Sequence, residues 1–438
     1  MGAMTTDDAA PTRGATALLG LREFRALTAA VGIAGLAFSA LTTVVAFQVY
    51  DLTRDPLALG WLGLVEGIPA LALALFGGHV ADRMDRRSIG LVTSATATLA
   101  AVALAILAAG TTPLLGVLAV IFVIGVAAGF ERPALTALQA QVIPREDAAR
   151  GVSIMNSTSQ TGFLAGPALG GLAIAIVGVA LTYVGLAVLL AVATGCLLFI
   201  ERRPVPELDE DEPILRSLLG GVRYVVRTPA LLASMALDLF AVFFGGAVAL
   251  LPIFAADVLQ VGPVGLGVLR TAPSVGALAA MVVAARWPPG RRAGRTLLLA
   301  VAGFGISMIV FGLSTVFVVS VVALVAAGIT DGVSMVIRST ILRVLSPERI
   351  RGRVAAVNWV FIGASNELGA FESGIAARLF GAVPAVVGGA LVTMGVVGVV
   401  AALVPSLRSL DLDTAEPTEP DEPTGPTEPV AVSERTAA

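Results

Sequence analysis

Residues 142–156 read VIPREDAARGVSIMN, and residues 345–358 read LSPERIRGRVAAVN. Pro144 answers to Pro347, Val152 to Val354 and Asn156 to Asn358, with one residue fewer in the second copy. Each copy is a proline, a charged turn and the entry to a long apolar run. Between them lies the polar segment from Glu201 to Thr228, which opens with ERRPVPELDEDEP. The chain therefore reads as two related halves in the same orientation, the parallel-repeat plan of one large class of secondary transporters.

Composition sets the medium. The chain is 57% hydrophobic and 13% charged, with a mean hydropathy of +0.92, whereas soluble domains are about 45–50% apolar. Apolar runs recur at the length a helix needs to cross ~30 Å of hydrocarbon, and such runs must satisfy their backbone internally. The alternating segments of an outer-membrane barrel are missing. Twelve spans are expected, at 26–50, 57–78, 89–110, 114–135, 152–177, 179–200, 230–252, 263–285, 296–314, 316–338, 354–380 and 383–404. The expected fold is an all-α polytopic membrane protein with twelve transmembrane helices in two six-helix bundles. The bundles occupy 26–200 and 230–404, with an N-terminal segment 1–25 and a central loop 201–229. Residues 405–438, rich in Pro, Thr and acid, read as a disordered tail.

All 28 basic residues are arginine. Only Arg54 and Arg378 fall in or beside odd-numbered loops, and Arg270 falls inside a span; the even-numbered loops hold the arginine clusters. The positive-inside rule then places the even loops and both termini in the cytoplasm. The single Cys196 and single His79 exclude a disulfide framework and a Cys/His metal cluster. No nucleotide-binding glycine loop is present, which argues against direct ATP drive and against a membrane-embedded enzyme. No cofactor and no nucleic-acid partner are expected, and the protein is expected to be a monomer.

Ionisable residues within spans carry the functional argument, because each costs at least ~2.5–3.5 kcal/mol at a helix centre unless it faces a cavity or a partner. Glu66 lies nine residues into span two, about 14 Å deep and near the midplane. Asp238 in span seven, Arg270 in span eight, and Asn366 with Glu367 in span eleven complete the set of proton-coupling or substrate-cavity candidates. Glu372 lies closer to the outer end of span eleven. Asp238 and Arg270 could form a structural pair. Glu131, Arg132, Asp331 and Arg338 fall near the even-loop ends of spans four and ten and read as an inner gate network. A carboxylate that alternates between burial and a nearby arginine can load and release a proton. A scaffold has no reason to carry such charge.

GGHVADRMDRR, residues 77–87, places three arginines and two aspartates in six residues between spans two and three. It resembles the loop signature of the major facilitator superfamily: Gly78, Asp82, Arg83, Arg86 and Arg87 fit, and Asp85 stands where the family has a second glycine. GFLAGPALGG in span five fits that superfamily's antiporter signature through Gly162, Gly166, Pro167, Gly170 and Gly171. PLALGWLGLVEGIPAL, LDLFAVFFGGAVALLP and RGRVAAVNWVFIGASNELGAFESG resemble the enterobactin-exporter branch, and the resemblance runs over roughly residues 21 to 405. The mid-helix arginine that many drug antiporters carry in span four is absent, since Arg132 lies near the helix end.

The resemblance implies a secondary exporter driven by protons, moving a siderophore or similar amphipathic molecule outward through the bilayer. A multidrug efflux pump of the same fold is the alternative. Arginines alone would make the 77–87 loop topogenic; the signature spacing makes Asp82 a latch to the start of span eleven. The glycines of span five, four apart, permit close helix approach, and in the resembled antiporters the bend at Pro167 seals the cavity against leak.

Overall fold

The computed structural model describes residues 15–110, 113–203, 214–245, 247–287, 290 and 292–414. Most of the expected tail and parts of the N-terminal segment and central loop lie outside these residues. Among the described residues every regular element is helical, and ten helices are long and apolar enough to cross a membrane. The principal helices are α1 (Arg22–Thr53), α2 (Pro56–Arg83), α3 (Arg86–Ala109), α4 (Leu114–Val142) and α5 (Ala148–Leu197). There follow α6 (Ile214–Arg227), α7 (Pro229–Gly245), α8 (Gly262–Arg286) and α9 (Ala293–Leu313). The series ends with α10 (Phe317–Leu345), α11 (Arg351–Phe380) and α12 (Ala382–Leu403).

Each span expected from the sequence falls on one of these helices. Spans five and six share α5, whose backbone leaves the helical region at Gly178 (φ 79°, ψ 171°), where the two spans were expected to part. Only glycine adopts that conformation without strain. Span eleven is α11, which is long enough to cross but too polar to count among the ten. Span seven is shorter as a helix than its apolar run. Beyond Gly245 the chain continues through a short 3₁₀ turn at Ala247–Leu250 and a π-turn at Phe254–Val258.

Helix pairing repeats between the halves. Helix α2 packs on α4, α1 on α5, and α3 on both α4 and α5; correspondingly α8 packs on α10, α7 on α11, and α9 on both α10 and α12. The part of α5 beyond Gly178 meets α3, where the hydroxyls of Ser94 and Thr194 lie 2.7 Å apart. Small residues sit at equivalent crossings. A Cβ on Gly129 of α4 would come 2.8 Å from Leu73 of α2, and one on Gly332 of α10 would come 2.8 Å from Ala280 of α8.

The central loop is not wholly irregular. Helix α6 buries Gly221, Tyr224 and Val225 at helical spacing, and the Tyr224 hydroxyl donates to the Leu345 carbonyl at the end of α10. One face of this segment is apolar, which gives a polar stretch enough burial to fold.

The broadest contacts between the halves are α2 against α11 and α5 against α8. In both, backbone meets backbone. A Cβ on Gly171 would strike the Pro263 carbonyl and lie 3.1 Å from Gly267, and a Cβ on Gly374 would lie 3.0 Å from Gly60. These contacts lie toward the end of the molecule that carries the odd-numbered loops. Gly171→Val should therefore part the halves at that end. Spin labels at Leu52 and Gln260 should report a longer distance in the variant than in the parent. An unchanged distance would mean that the α5–α8 contact does not set the closure.

Candidate functional site

A cavity of about 510 Å³ lies between the halves. Aliphatic and aromatic side chains, among them Phe38, Leu41, Val45, Phe304 and Met308, form much of its wall. Into it project all five cavity candidates from the sequence: Glu66 of α2, Asp238 of α7, Arg270 of α8, and Asn366 and Glu367 of α11. Asp331 of α10 joins them. The spacing of ionisable residues in apolar runs thus did identify the polar content of one chamber.

Their partners differ from the expected ones. Asp238 pairs with Arg338, not with Arg270, and Arg338 also reaches Asp331 at 3.9 Å. The reason is register: Arg338 lies seven residues, about two turns, beyond Asp331 on the same face of α10. Its side chain is only 12% exposed, and its Nε also donates to Ser334 at 3.2 Å. The expected gate set divides accordingly. Asp331 lines the cavity and Arg338 stands behind it, tied to the lining Asp238 and Asp331, whereas Glu131 and Arg132 of α4 do not line it. Arg132 still acts electrostatically on Glu66 and Glu367.

Glu66 and Arg270 interact electrostatically across the seam without an ion pair within 4 Å. Nη1 of Arg270 is buried and has no hydrogen-bond partner among the described residues. Glu367 lies in a notch on α2: a Cβ on Gly63 would come 3.1 Å from its Oε2, and a Cβ on Gly67 would overlap its Cγ. The side chain of α11 thereby occupies space that the glycines of α2 leave empty, next to Glu66. Asn366 turns back and donates to the Ile362 carbonyl at 3.0 Å.

The span-five motif works through its backbone. Pro167 has no N–H, so the Phe163 carbonyl one turn earlier loses its helical donor. Ser39 Oγ of α1 donates to that carbonyl at 2.8 Å, which replaces the missing bond inside the apolar slab. Gly162, Gly166 and Gly170 lie against α1, and only Gly171 faces α8.

In the 77–87 loop, Asp85 caps α3, accepting from Ser88 N at 3.2 Å and Ser88 Oγ at 2.6 Å. An N-cap carboxylate satisfies helix-end donors, which accounts for an acid where the family has glycine. Arg87 donates to the carbonyls of Leu197 and Leu198 at 3.3 and 3.1 Å, and Arg86 donates to Ala81 O at 3.2 Å. Asp82, with a side chain 53% exposed, pairs with Arg86 at 3.8 Å. Gly78 has open space about it.

The cavity is shut toward the odd-loop end by ties that sequence reading did not single out. Asp257, beyond α7, accepts from the Tyr50 hydroxyl of α1 and, at 3.3 Å, from Nη1 of Arg54, which caps the end of α1. Asp55, which also caps α2, pairs with Arg378 of α11 at 3.4 Å. Arg54 and Arg378 are the two arginines of the odd-numbered loops, and their isolation there was the available signal. Toward the other end the halves diverge. Val360 and Trp359, two turns before Glu367 and Asn366 on the same faces of α11, are 48% and 65% exposed.

Residues 27–370 match the sequence model of the Major Facilitator Superfamily. The chain belongs to this superfamily. It is a multi-pass membrane transport protein, not an enzyme. It is 28% identical over 336 residues to the enterobactin exporter EntS of Shigella dysenteriae serotype 1, covering 76% of this chain and 79% of that one. The EntS of Escherichia coli O1:K1 gives the same identity and coverage. Solved structures agree in fold. A POT family transporter in complex with 5-aminolevulinic acid superposes with a TM-score of 0.73 at 13% identity, over 91% of this chain and 99% of that one. A bacterial homologue of the human lysosomal transporter Spinster, inward-facing and unoccupied, gives 0.65 at 15% identity, over 87% and 96%. A D-xylose–proton symporter gives 0.68 at 13% identity, over 88% and 99%.

Removing one partner of a buried ion pair strands the other, at a cost of about 3–5 kcal/mol. Arg338→Gln should lower the thermal stability of the purified transporter on that scale, and adding Asp238→Asn should restore much of it. Additive losses in the double variant would show that the two residues act independently.

Proposed function

We propose that this superfamily member is a proton-driven exporter that carries a siderophore or a similar amphipathic organic molecule outward by alternating access. The observation that carries the proposal is the chamber between the halves, where Glu66 and Glu367 approach from opposite halves and Arg270 lines the same wall within electrostatic reach of Glu66. Similarity to the enterobactin exporters supports the substrate class and the outward direction. The arginine-rich even loops support an orientation with both termini in the cytoplasm, so the conformation described is the inward-facing one.

Coupling follows from the cost of charge. With the cavity open inward, Glu66 gives up its proton, and Arg270, which makes no close ion pair with it, balances its charge only in part. A bound substrate with hydrogen-bond donors completes that balance, and the loaded protein can turn outward. After release, an empty cavity with an uncompensated carboxylate is expensive to close within hydrocarbon. A proton taken from the outer side neutralises it and permits the return. Substrate and proton therefore travel in opposite directions.

Glu66→Gln fixes the neutral form. In proteoliposomes it should abolish uphill transport driven by an imposed pH gradient while leaving downhill enterobactin exchange largely intact. Gradient-driven transport by Glu66→Gln at the parent rate would overturn the assignment, and Asp238→Asn and Glu367→Gln would then decide which carboxyl couples. Multidrug efflux is the second reading, favoured by the aliphatic wall. Cells with and without the gene, compared for enterobactin release and for tolerance to apolar drugs, separate the two.

In the outward-open state Asp82 should exchange its Arg86 pairing for the start of α11. Asp82→Asn should bias the protein inward-open, raising the labelling of a cysteine at Trp359 from the even-loop side. Equal labelling in variant and parent would leave the loop a topogenic element only.

A further inference from the structure

Glu372 is an intramembrane acid that lies outside the central cavity and that the transport cycle above does not use. It lies eight residues before the end of α11, about 12 Å into the slab. Helical spacing sets its direction. Glu367 and Ala370 face the seam or the cavity and Gly369 lies against Phe243 of α7, whereas Leu368, Glu372, Ile375 and Leu379 form a stripe on the opposite side. Leu368, Ile375 and Leu379 are 47%, 38% and 69% exposed, so this stripe faces the bilayer. A carboxyl in such a stripe is out of place, since intramembrane acids almost always face a bundle interior or a partner.

The surface around it is a groove of about 380 Å³ whose walls include the rings of Phe243, Phe371 and Phe380. No ion pair or hydrogen bond reaches Glu372 from the described residues, and the nearby Arg378 is turned to Asp55 at 3.4 Å. A carboxylate ringed by aromatic faces suits one chemistry: an organic cation whose charge meets the acid and whose apolar substituents meet the rings. A second copy of the chain fits less well. A two-fold contact centred on this stripe would bring two Glu372 side chains together, and like charges at close range oppose it.

We propose that the groove between α7 and α11 around Glu372 is a binding site for a lipophilic organic cation, of the aryl-phosphonium or quaternary-ammonium type, entered from the bilayer and separate from the central cavity. It does not depend on the siderophore reading, because binding here is measured without transport. The groove also touches the seam. Phe371 is one of its walls, and its ring stacks edge-on against Trp61 of α2 with centroids 5.0 Å apart.

Trp61 supplies the readout. The full-length transporter carrying Trp287→Phe and Trp359→Phe retains it as the only tryptophan. In lipid nanodiscs, tetraphenylphosphonium should change its fluorescence saturably, and the isosteric anion tetraphenylborate should not. Glu372→Gln should weaken the phosphonium affinity about tenfold, the size of one partly desolvated charge interaction, whereas Glu66→Gln should leave it within twofold. Equal responses to phosphonium and borate would overturn the proposal whether or not the Glu372 variant folds. So would an affinity unmoved by Glu372→Gln, or one lost in Glu66→Gln, which would place the cation in the central cavity.

Discussion

Backbone contact across the seam is the constraint on which the rest of this transporter depends. Where Gly171 meets Pro263 and Gly267, and Gly60 meets Gly374, the helices of the two halves touch without side chains between them. Lipid offers no hydrophobic drive to hold helices together, so close packing of small residues has to supply the attraction. The same contact is easily reversed, because it traps no interlocked side chains. Strength is added only at its rim, by Tyr50 and Arg54 on Asp257 and by Arg378 on Asp55. The rim groups around Arg54 are half exposed, with side-chain exposures of 57% for Arg54 and 48% for Asp257, and exposed ion pairs contribute only about 0–1 kcal/mol. A gate built from glycine contact and weak rim charges can close firmly and still open at modest cost.

Much of this architecture was legible in the sequence because the bilayer imposes length. Apolar runs gave every span, and the 142–156 and 345–358 repeat gave the six-helix offset that the helix pairings follow. What the runs could not give was the break in span seven after Gly245, since a 3₁₀ or π-turn keeps the same apolar composition as a helix. The amphipathic helix α6 was hidden by the charged residues that precede it. For the site, the cost of buried charge pointed to Glu66, Asp238, Arg270 and Glu367, and all four line one cavity. Pairing was not legible in the same way. Whether Asp238 meets Arg270 or Arg338 depends on helix rotation and on which neighbour lies within its own half, and neither follows from depth alone.

The span-five motif shows how a sequence pattern can be read correctly while its mechanism is distributed elsewhere. Its glycines face α1 within one half, and Gly171 alone reaches the other half. The consequence of Pro167 appears on α1, where Ser39 supplies the hydrogen bond that the proline removes. A serine in a hydrophobic run has no visible meaning until its partner is known. Pro167 of α5 and the hydroxyl on α1 form one device, and replacing Ser39 leaves the Phe163 carbonyl unsatisfied within the slab, where water is scarce.

Helix α11 concentrates these demands. It is too polar to pass as a membrane span by composition, yet each polar group on it has its own direction. Asn366 and Glu367 meet the cavity, Gly374 the seam, Arg378 the rim, and Glu372 the bilayer. Rotation of such a helix about its axis would carry acids into lipid and leucines into the cavity, so that motion is expensive. Tilting keeps every face in its own medium. The closures at its two ends must therefore be exchanged by a rigid swing of α11 against α2. The Gly63–Gly67 notch that seats Glu367 lies near the middle of that contact, where a swing displaces the side chain least. In the proposed cycle this position would keep the carboxyl of one half beside Glu66 of the other, which is where a group that answers to both sides of the membrane has to be.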